Sequence, residues 1–468
     1  MREMGKASKA ALLLTAAAGL PLFAQPAPDN SQIMERLERL EQQNAKLTEE
    51  VRQLRTELSA LQANNASPPR APVTATAASS AATEDALAIQ QARIDEQAQS
   101  KVEAGHKLPM RITGMALFNA FYDTHSDTGY YAGSTGPLYA SANAGGTLSQ
   151  SIVGLEFDSP NSVVGARVHG EIFADFFGSA GSSQTASTLT YGQWPTPRLR
   201  TGGVTLDWTS SSFSVGVDKP LISPLTPDSF AQVGVPALSG AGNLWFWEPQ
   251  ARFEQRIHLS ERDVVRLQGE LISTHESAAY VSPAYASSLA PRRPGWEGRA
   301  EFAHKGEDDR GFEFGAGFHL SETHVAGQTV SSNLFSLDGK YWMTRWWNLE
   351  GTFFRGQDVA GIGGAGPGFS IVWNEVAQPV HADGGWLQLT LIPASRTSLH
   401  FFGGAQNNRS SDLWGDQITS NASFGGNVYY QLAPNVFASF EAAQTRTDWV
   451  VSGRHLRNVY DLGLAYLF

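Results

Sequence analysis

Charged residues recur at every second position in several stretches of this chain. Arg252, Glu254, Arg256 and His258 alternate with Ala251, Phe253, Ile257 and Leu259. Arg266, Gln268 and Glu270 alternate with Val265, Leu267 and Leu271, and Arg299 and Glu301 alternate with Ala300 and Phe302. Arg167, His169, Glu171 and Asp175 stand opposite Val164, Ala166, Val168, Ile172 and Ala174. In extended backbone successive side chains point to opposite faces, so each charged set shares one face. Guanidinium groups held this way can take a carboxylate or phosphate in fork geometry. A ring of such charges sets ion preference in a pore. The same arginines can instead neutralise Glu171, Glu254, Glu270 and Glu301 as an ion-pair lattice, and the sequence leaves both readings open.

Other chemistries find little support. The chain has no cysteine, which removes thiol nucleophiles, thiolate metal sites and disulfides. His169, His258, His319 and His400 sit in no catalytic motif, so no enzyme is expected. No metal or cofactor motif appears. Asp and Glu (45) outnumber Lys and Arg (34), which argues against a nucleic-acid partner.

The elements that would position the charged faces are strands. Period-2 alternation predicts sixteen of them from residue 108 onward, over 110–123, 149–158, 162–177, 198–208, 212–218, 249–259, 262–273, 296–305, 310–320, 333–342, 345–356, 384–392, 397–405, 421–432, 435–445 and 456–468. Seven connections are tight turns, such as Ser159-Pro160-Asn161 and Ala433-Pro434-Asn435. Eight are long loops, at 124–148, 178–197, 219–248, 274–295, 321–332, 357–383, 406–420 and 446–455. Segregation of loop length by strand end, with an even strand number, is the layout of an outer-membrane barrel. An Arg facing lipid near mid-bilayer costs roughly 2–4 kcal/mol. The charged faces must therefore line the interior, and a ring of sixteen strands is wide enough to hold water there. Paired aromatics at strand ends, including Phe121-Tyr122, Tyr341-Trp342 and Tyr429-Tyr430, suit interfacial girdles.

Residues 1–24 read as a signal peptide, with basic Arg2, Lys6 and Lys9 before an apolar stretch too short to span a bilayer. Over 31–62, Ile33, Leu37, Leu40, Asn44, Leu47, Val51, Leu54, Leu58 and Leu61 form a heptad seam. Asn44 at a core position costs stability but fixes register, and allows a dimer or a trimer. Residues 63–107, rich in Ala, Ser, Pro and Thr, read as a linker with a possible short helix. The fold class expected is all-β: a 16-stranded antiparallel transmembrane β-barrel over 108–468 with an N-terminal α-helical coiled coil.

The most distinctive loop runs from Lys219 to Glu248. Four prolines restrict it, and Trp245-Phe246-Trp247 is too apolar to hang in water unpacked. It is expected to fold into the lumen and narrow it, with Lys219, Asp228, Trp245 and Trp247 as constriction residues. The terminal strand puts Tyr460, Leu462, Leu464, Tyr466 and Phe468 on one face and Asp461, Gly463 and Ala465 on the other. Its Gly463, Tyr466 and Phe468 resemble the C-terminal assembly signal of bacterial outer-membrane barrels.

The stretch from Gly216-Val217-Asp218 through Pro220, Pro224, Gly234 and Gly242-Asn243 to Pro249-Gln250-Ala251-Arg252 is similar to the third-loop region of trimeric coiled-coil porins of the DcaP type. With the signal, coiled coil, linker and barrel in that order, the resemblance implies a homotrimer in the bacterial outer membrane with a periplasmic coiled coil. It implies passive uptake of small anionic solutes such as dicarboxylates. The implied partners are outer-membrane lipid, lipopolysaccharide, the barrel-assembly machinery and the small-molecule solute. The sequence departs from a strongly anion-selective pattern, because Glu156, Asp158, Glu171, Glu254, Glu270 and Glu301 accompany the arginines. A carbohydrate or general-diffusion porin, or a tether between outer membrane and periplasm, are the alternatives.

Overall fold

The computed structural model describes residues 110–468 except 127–133, 179–195, 277–280, 308–309 and 373–375. The expected signal peptide, coiled coil with Asn44, and linker lie outside the described residues. The described strands are β1 (Met110–Ser126), β2 (Ser141–Thr147), β3 (Ile152–Asp158), β4 (Arg167–Gly178), β5 (Thr196–Asp207), β6 (Ser211–Asp218), β7 (Glu248–His258), β8 (Asp263–Ile272), β9 (Ala290–Lys305) and β10 (Gly311–Val325). They continue with β11 (Gln328–Thr344), β12 (Trp347–Gln357), β13 (Phe369–Ile371), β14 (Ala377–Pro379), β15 (His381–Ala394), β16 (Thr397–Asn408), β17 (Ile418–Ala433), β18 (Val436–Trp449) and β19 (Gly453–Leu467).

Each strand of the wall pairs antiparallel with its neighbour, and β19 returns to β1 through Met115↔Leu467 to Asp123↔Val459. β2 and β3 both pair with β1, so they are two halves of one strand. β13 and β14 form a separate ribbon. The wall is thus a closed barrel of sixteen antiparallel strands. Beyond β19, Phe468 completes the seam: its N–H donates to Gly114 O (3.0 Å) and its O accepts from Gly114 N–H (2.9 Å).

Burial is inverted, as a barrel in lipid requires. Phe118, Leu387, Phe401, Leu462, Leu464 and Tyr466 are exposed, whereas Asn119, Gln388, Asn421, Glu441 and Asp461 are buried. Apolar outward faces and polar inward faces alternate along β19 as the sequence dictates.

Several expectations are corrected. The predicted strand 149–158 is only the second half of a longer, broken one. Ser141–Thr147 carries no apolar alternation to mark the first half, and Ser151 Oγ bridges the break to Leu117 N and O. Strand 162–177 begins at Arg167, because Val164 (φ 51°) and Gly165 (φ 77°) make a left-handed turn. The outer connection 321–332 is a tight hairpin. Ala326 (φ 50°) and Gly327 (φ 74°) turn the chain in two residues, the conformation that matches strand twist. The connection 446–455 shrinks to 450–452 for the same reason: the strands run on past the predicted ends. The aromatic pairs do not form girdles as pairs. Neighbours in a strand face opposite ways, so Tyr122 and Tyr430 are exposed outside while Phe121 is buried and Tyr429 stacks inside on Phe230 at 4.3 Å.

A loop across the lumen as candidate functional site

The segment 219–247 joins the adjacent strands β6 and β7, yet it is tied to the far side of the ring. Ser229 Oγ donates to Glu441 Oε2 (2.6 Å) and Gln232 Nε2 to Glu441 Oε1 (2.9 Å), both on β18. Asp228 N–H donates to Gln388 Oε1 (2.7 Å), and Gln388 Nε2 returns a bond to Asp228 Oδ2 (2.7 Å). Asn427 Nδ2 donates to Asp228 O, and Asn119 Nδ2 to Phe230 O. On the near side Arg198 and Arg200 donate to Gly234 O and Val233 O, each at 2.6 Å.

Local sequence makes this close docking possible. Gly242 (φ 100°) presses so near Gly385 that any Cβ there would meet the Gly385 carbonyl. Gly404 likewise leaves no room for a Cβ beneath Ala241 O. Ile222 and Leu244 from the loop join Leu334, Phe354, Val359, Ile362 and Ala382 in a buried apolar cluster inside the barrel. The segment after β12 therefore also folds inward. The fold of the loop into the barrel matches the sequence expectation, with Glu248 belonging to β7 rather than to the loop.

The predicted charged residues do face inward, but each arginine has a carboxylate partner. Arg252 Nε bonds Glu270 (2.7 Å) and approaches Asp218 (3.6 Å), and its NH2 donates to Lys219 O (2.9 Å). Arg256 holds Asp207 (2.5 Å) and lies 3.7 Å from Glu254. Arg266 pairs with Glu301 and lies 3.9 Å from Glu313. Arg299 makes a bidentate pair with Asp338 (2.9 and 2.5 Å) and a third bond to Glu301 (2.7 Å). Arg167 meets Asp207 at 2.9 Å with a side chain 88% exposed. His169 lies 3.0 Å from Asp158 and 3.8 Å from Glu171. Of the two readings of these arginines, the geometry is that of the ion-pair lattice. Arg256 and Arg167 meet on Asp207, at the turn side of the wall, separate from Arg252.

A different group of cations escaped the sequence reading. Arg198 and Arg200 share a single buried carboxylate, Asp175, at 2.6 and 3.4 Å. Both guanidinium groups lie over the Trp247 ring, at 5.1 and 4.4 Å from its centroid. Lys219 Nζ donates only to neutral oxygens, Pro224 O (2.7 Å) and Thr226 Oγ1 (2.9 Å). Burial pushes the Lys219 pKa down, and nearby Arg252 and Arg200 push the same way against Asp218 and Glu350. The signal for the pair was present: exposed Leu199 between Arg198 and Arg200 fixes both guanidinium groups on the inner face. Trp245 packs edge-on against Trp247 (5.3 Å) and Phe246 (5.1 Å).

No protein-family model matches the chain, and no curated protein matches it. Among solved structures, the outer membrane channel DcaP of Acinetobacter baumannii aligns with a TM-score of 0.62 at 14% identity, over 77% of this chain and 97% of that one. OmpT of Vibrio cholerae and OprB of Pseudomonas putida each align at 9% identity with a TM-score of 0.47, over 77% of this chain and 97% and 94% of theirs. The likeness to DcaP is one of fold, and in fold it agrees with the resemblance noted from the sequence.

Proposed function

We propose that this chain is an outer-membrane porin giving passive uptake of small solutes through a barrel narrowed by the loop 219–247. The observation that carries this reading is the loop itself, which crosses a sixteen-strand lumen lined with charge and is bonded to β18 opposite its own roots. Rings of this size leave aqueous space rather than a packed core.

The solutes are small anions of the dicarboxylate kind. Supporting this is the seam where the loop meets β5 and β7. There Arg198, Arg200 and Arg252 pair with Asp175, Asp218 and Glu270, and Lys219 Nζ beside them is bonded only to neutral oxygens. Forked guanidinium groups over the Trp247 ring suit a carboxylate carried on a flat or short skeleton. The ring faces are taken by arginine, which disfavours Trp247 as a sugar platform. In the same reading residues 1–24 are removed after export and 31–62 join three copies in the periplasm. Lipid and lipopolysaccharide then surround the wall, and the barrel-assembly machinery reads Gly463, Tyr466 and Phe468.

Planar-bilayer recording under a salt gradient tests the assignment. Native protein should show conductance steps grouped by three and an anion-selective reversal potential. The double variant Arg198→Gln, Arg200→Gln should shift that potential toward cations, while Arg167→Ala leaves it in place. A native channel with no anion preference would discard the solute class and keep the porin; no conductance from folded protein would discard the porin.

A further inference from the structure

Asp358 lies just past β12 on the outer-loop side and is 1% exposed. Its backbone is fully engaged: its N–H donates to Val380 O (2.9 Å) and its O accepts from Ser332 Oγ (2.7 Å). Its carboxylate is not: apart from the one carboxyl group that faces it, neither Oδ1 nor Oδ2 meets a hydrogen-bond donor. The carboxyl group facing it is that of Glu276, from the segment that follows β8. The nearby histidines are each held by another carboxylate, His275 Nδ1 by Glu248 (3.0 Å) and His319 Nδ1 by Glu297 (2.7 Å), and His319 is the one that acts electrostatically on Asp358. Two glycines clear the space. A Cβ on Gly361 would come within 2.6 Å of Glu276 Oε1. One on Gly368 would collide with Asp358 Oδ1 and stand 2.9 Å from Glu276 Oε2.

Two carboxyl groups therefore converge beside glycine backbone, that of Asp358 buried and that of Glu276 partly so, an unfavourable arrangement unless something positive joins them. One shared proton would satisfy a single oxygen of Asp358 and leave the other bare. A divalent cation would engage both carboxylates at once.

We propose that Glu276 and Asp358 are the side-chain ligands of a calcium ion that clamps the segment after β8 to the inward-folded segment after β12. Hard oxygen donors select this class of cation. Among the described residues no third acidic, histidine or cysteine side chain is placed to hold a metal ion with this pair, so backbone carbonyls and water complete the shell. Calcium accepts such a shell of about 6–8 oxygens with irregular geometry, whereas magnesium demands a regular octahedron. The proposal uses none of the residues of the basic seam and does not rest on the solute assigned above.

Calorimetric titration of calcium chloride into refolded, chelator-washed full-length protein tests the clamp. One site per chain is expected, and calcium should raise the temperature at which the folded band is lost on SDS gels. Glu276→Gln and Asp358→Asn should each weaken calcium binding at least tenfold. Should Asp358→Asn fail to fold, Glu276→Gln alone carries the test. Binding unchanged in the folded variants would place the ion elsewhere and overturn the proposal. Native protein that binds no calcium would overturn it too, leaving a carboxyl pair that shares a proton.

Discussion

Toward the outer loops the inside of the barrel is packed, with Ile222, Leu244, Phe354, Val359 and Ile362 in mutual contact and glycines letting the loop seat on the wall. Toward the short turns the inside is charged and half-open, with Arg167, Asp207, Arg256, Glu254, Arg266 and Glu313 linked in pairs. Arg299, 4% exposed between Glu301 and Asp338, stands where one regime passes into the other. The packed half holds shape by volume and is indifferent to salt. The charged half holds shape by neutrality, and each lesion there costs according to how dry its surroundings are.

That contrast can be broken in order of effect. Arg299→Ala should be the most damaging change, costing about 3–5 kcal/mol because Asp338 is left buried without its cation while Glu301 keeps only Arg266; the midpoint for thermal loss of the folded band reads it. Phe354→Ala follows at about 3 kcal/mol for the cavity left in the apolar cluster. Its cost should be the same in 1 M salt as in dilute buffer, and a salt-dependent cost would deny that this half is held by packing. Arg167→Ala should cost less than ~1 kcal/mol, since its side chain is solvated, and salt should erase even that.

The sequence made the wall legible because a period of two, sustained through Arg252 to Leu259 or Tyr460 to Phe468, leaves one assignment of faces. It hid the turn at Val164–Gly165 and the hairpin at Ala326–Gly327, where left-handed backbone sits in residues that alternation alone reads as strand or loop. It hid the half-strand 141–147, whose small residues have no apolar rhythm. The inward course of 219–247 was readable from prolines and tryptophans that need burial. Its anchors were not, since Glu441, Gln388 and Asn427 lie 212, 160 and 199 residues from their partners and meet them only when the ring closes. The arginines singled out by alternation were correctly faced. Which were spent on carboxylates depended on cross-strand register, and register is a property of pairs of strands.

The seam between Gly114 and Phe468 joins residues more than 350 positions apart. Until that joint forms, a nascent sheet carries two unpaired borders, each a template for pairing with a stranger. The final hairpin is thus a zip fastener's last teeth: both borders of the sheet stay open until it pairs with the first strand.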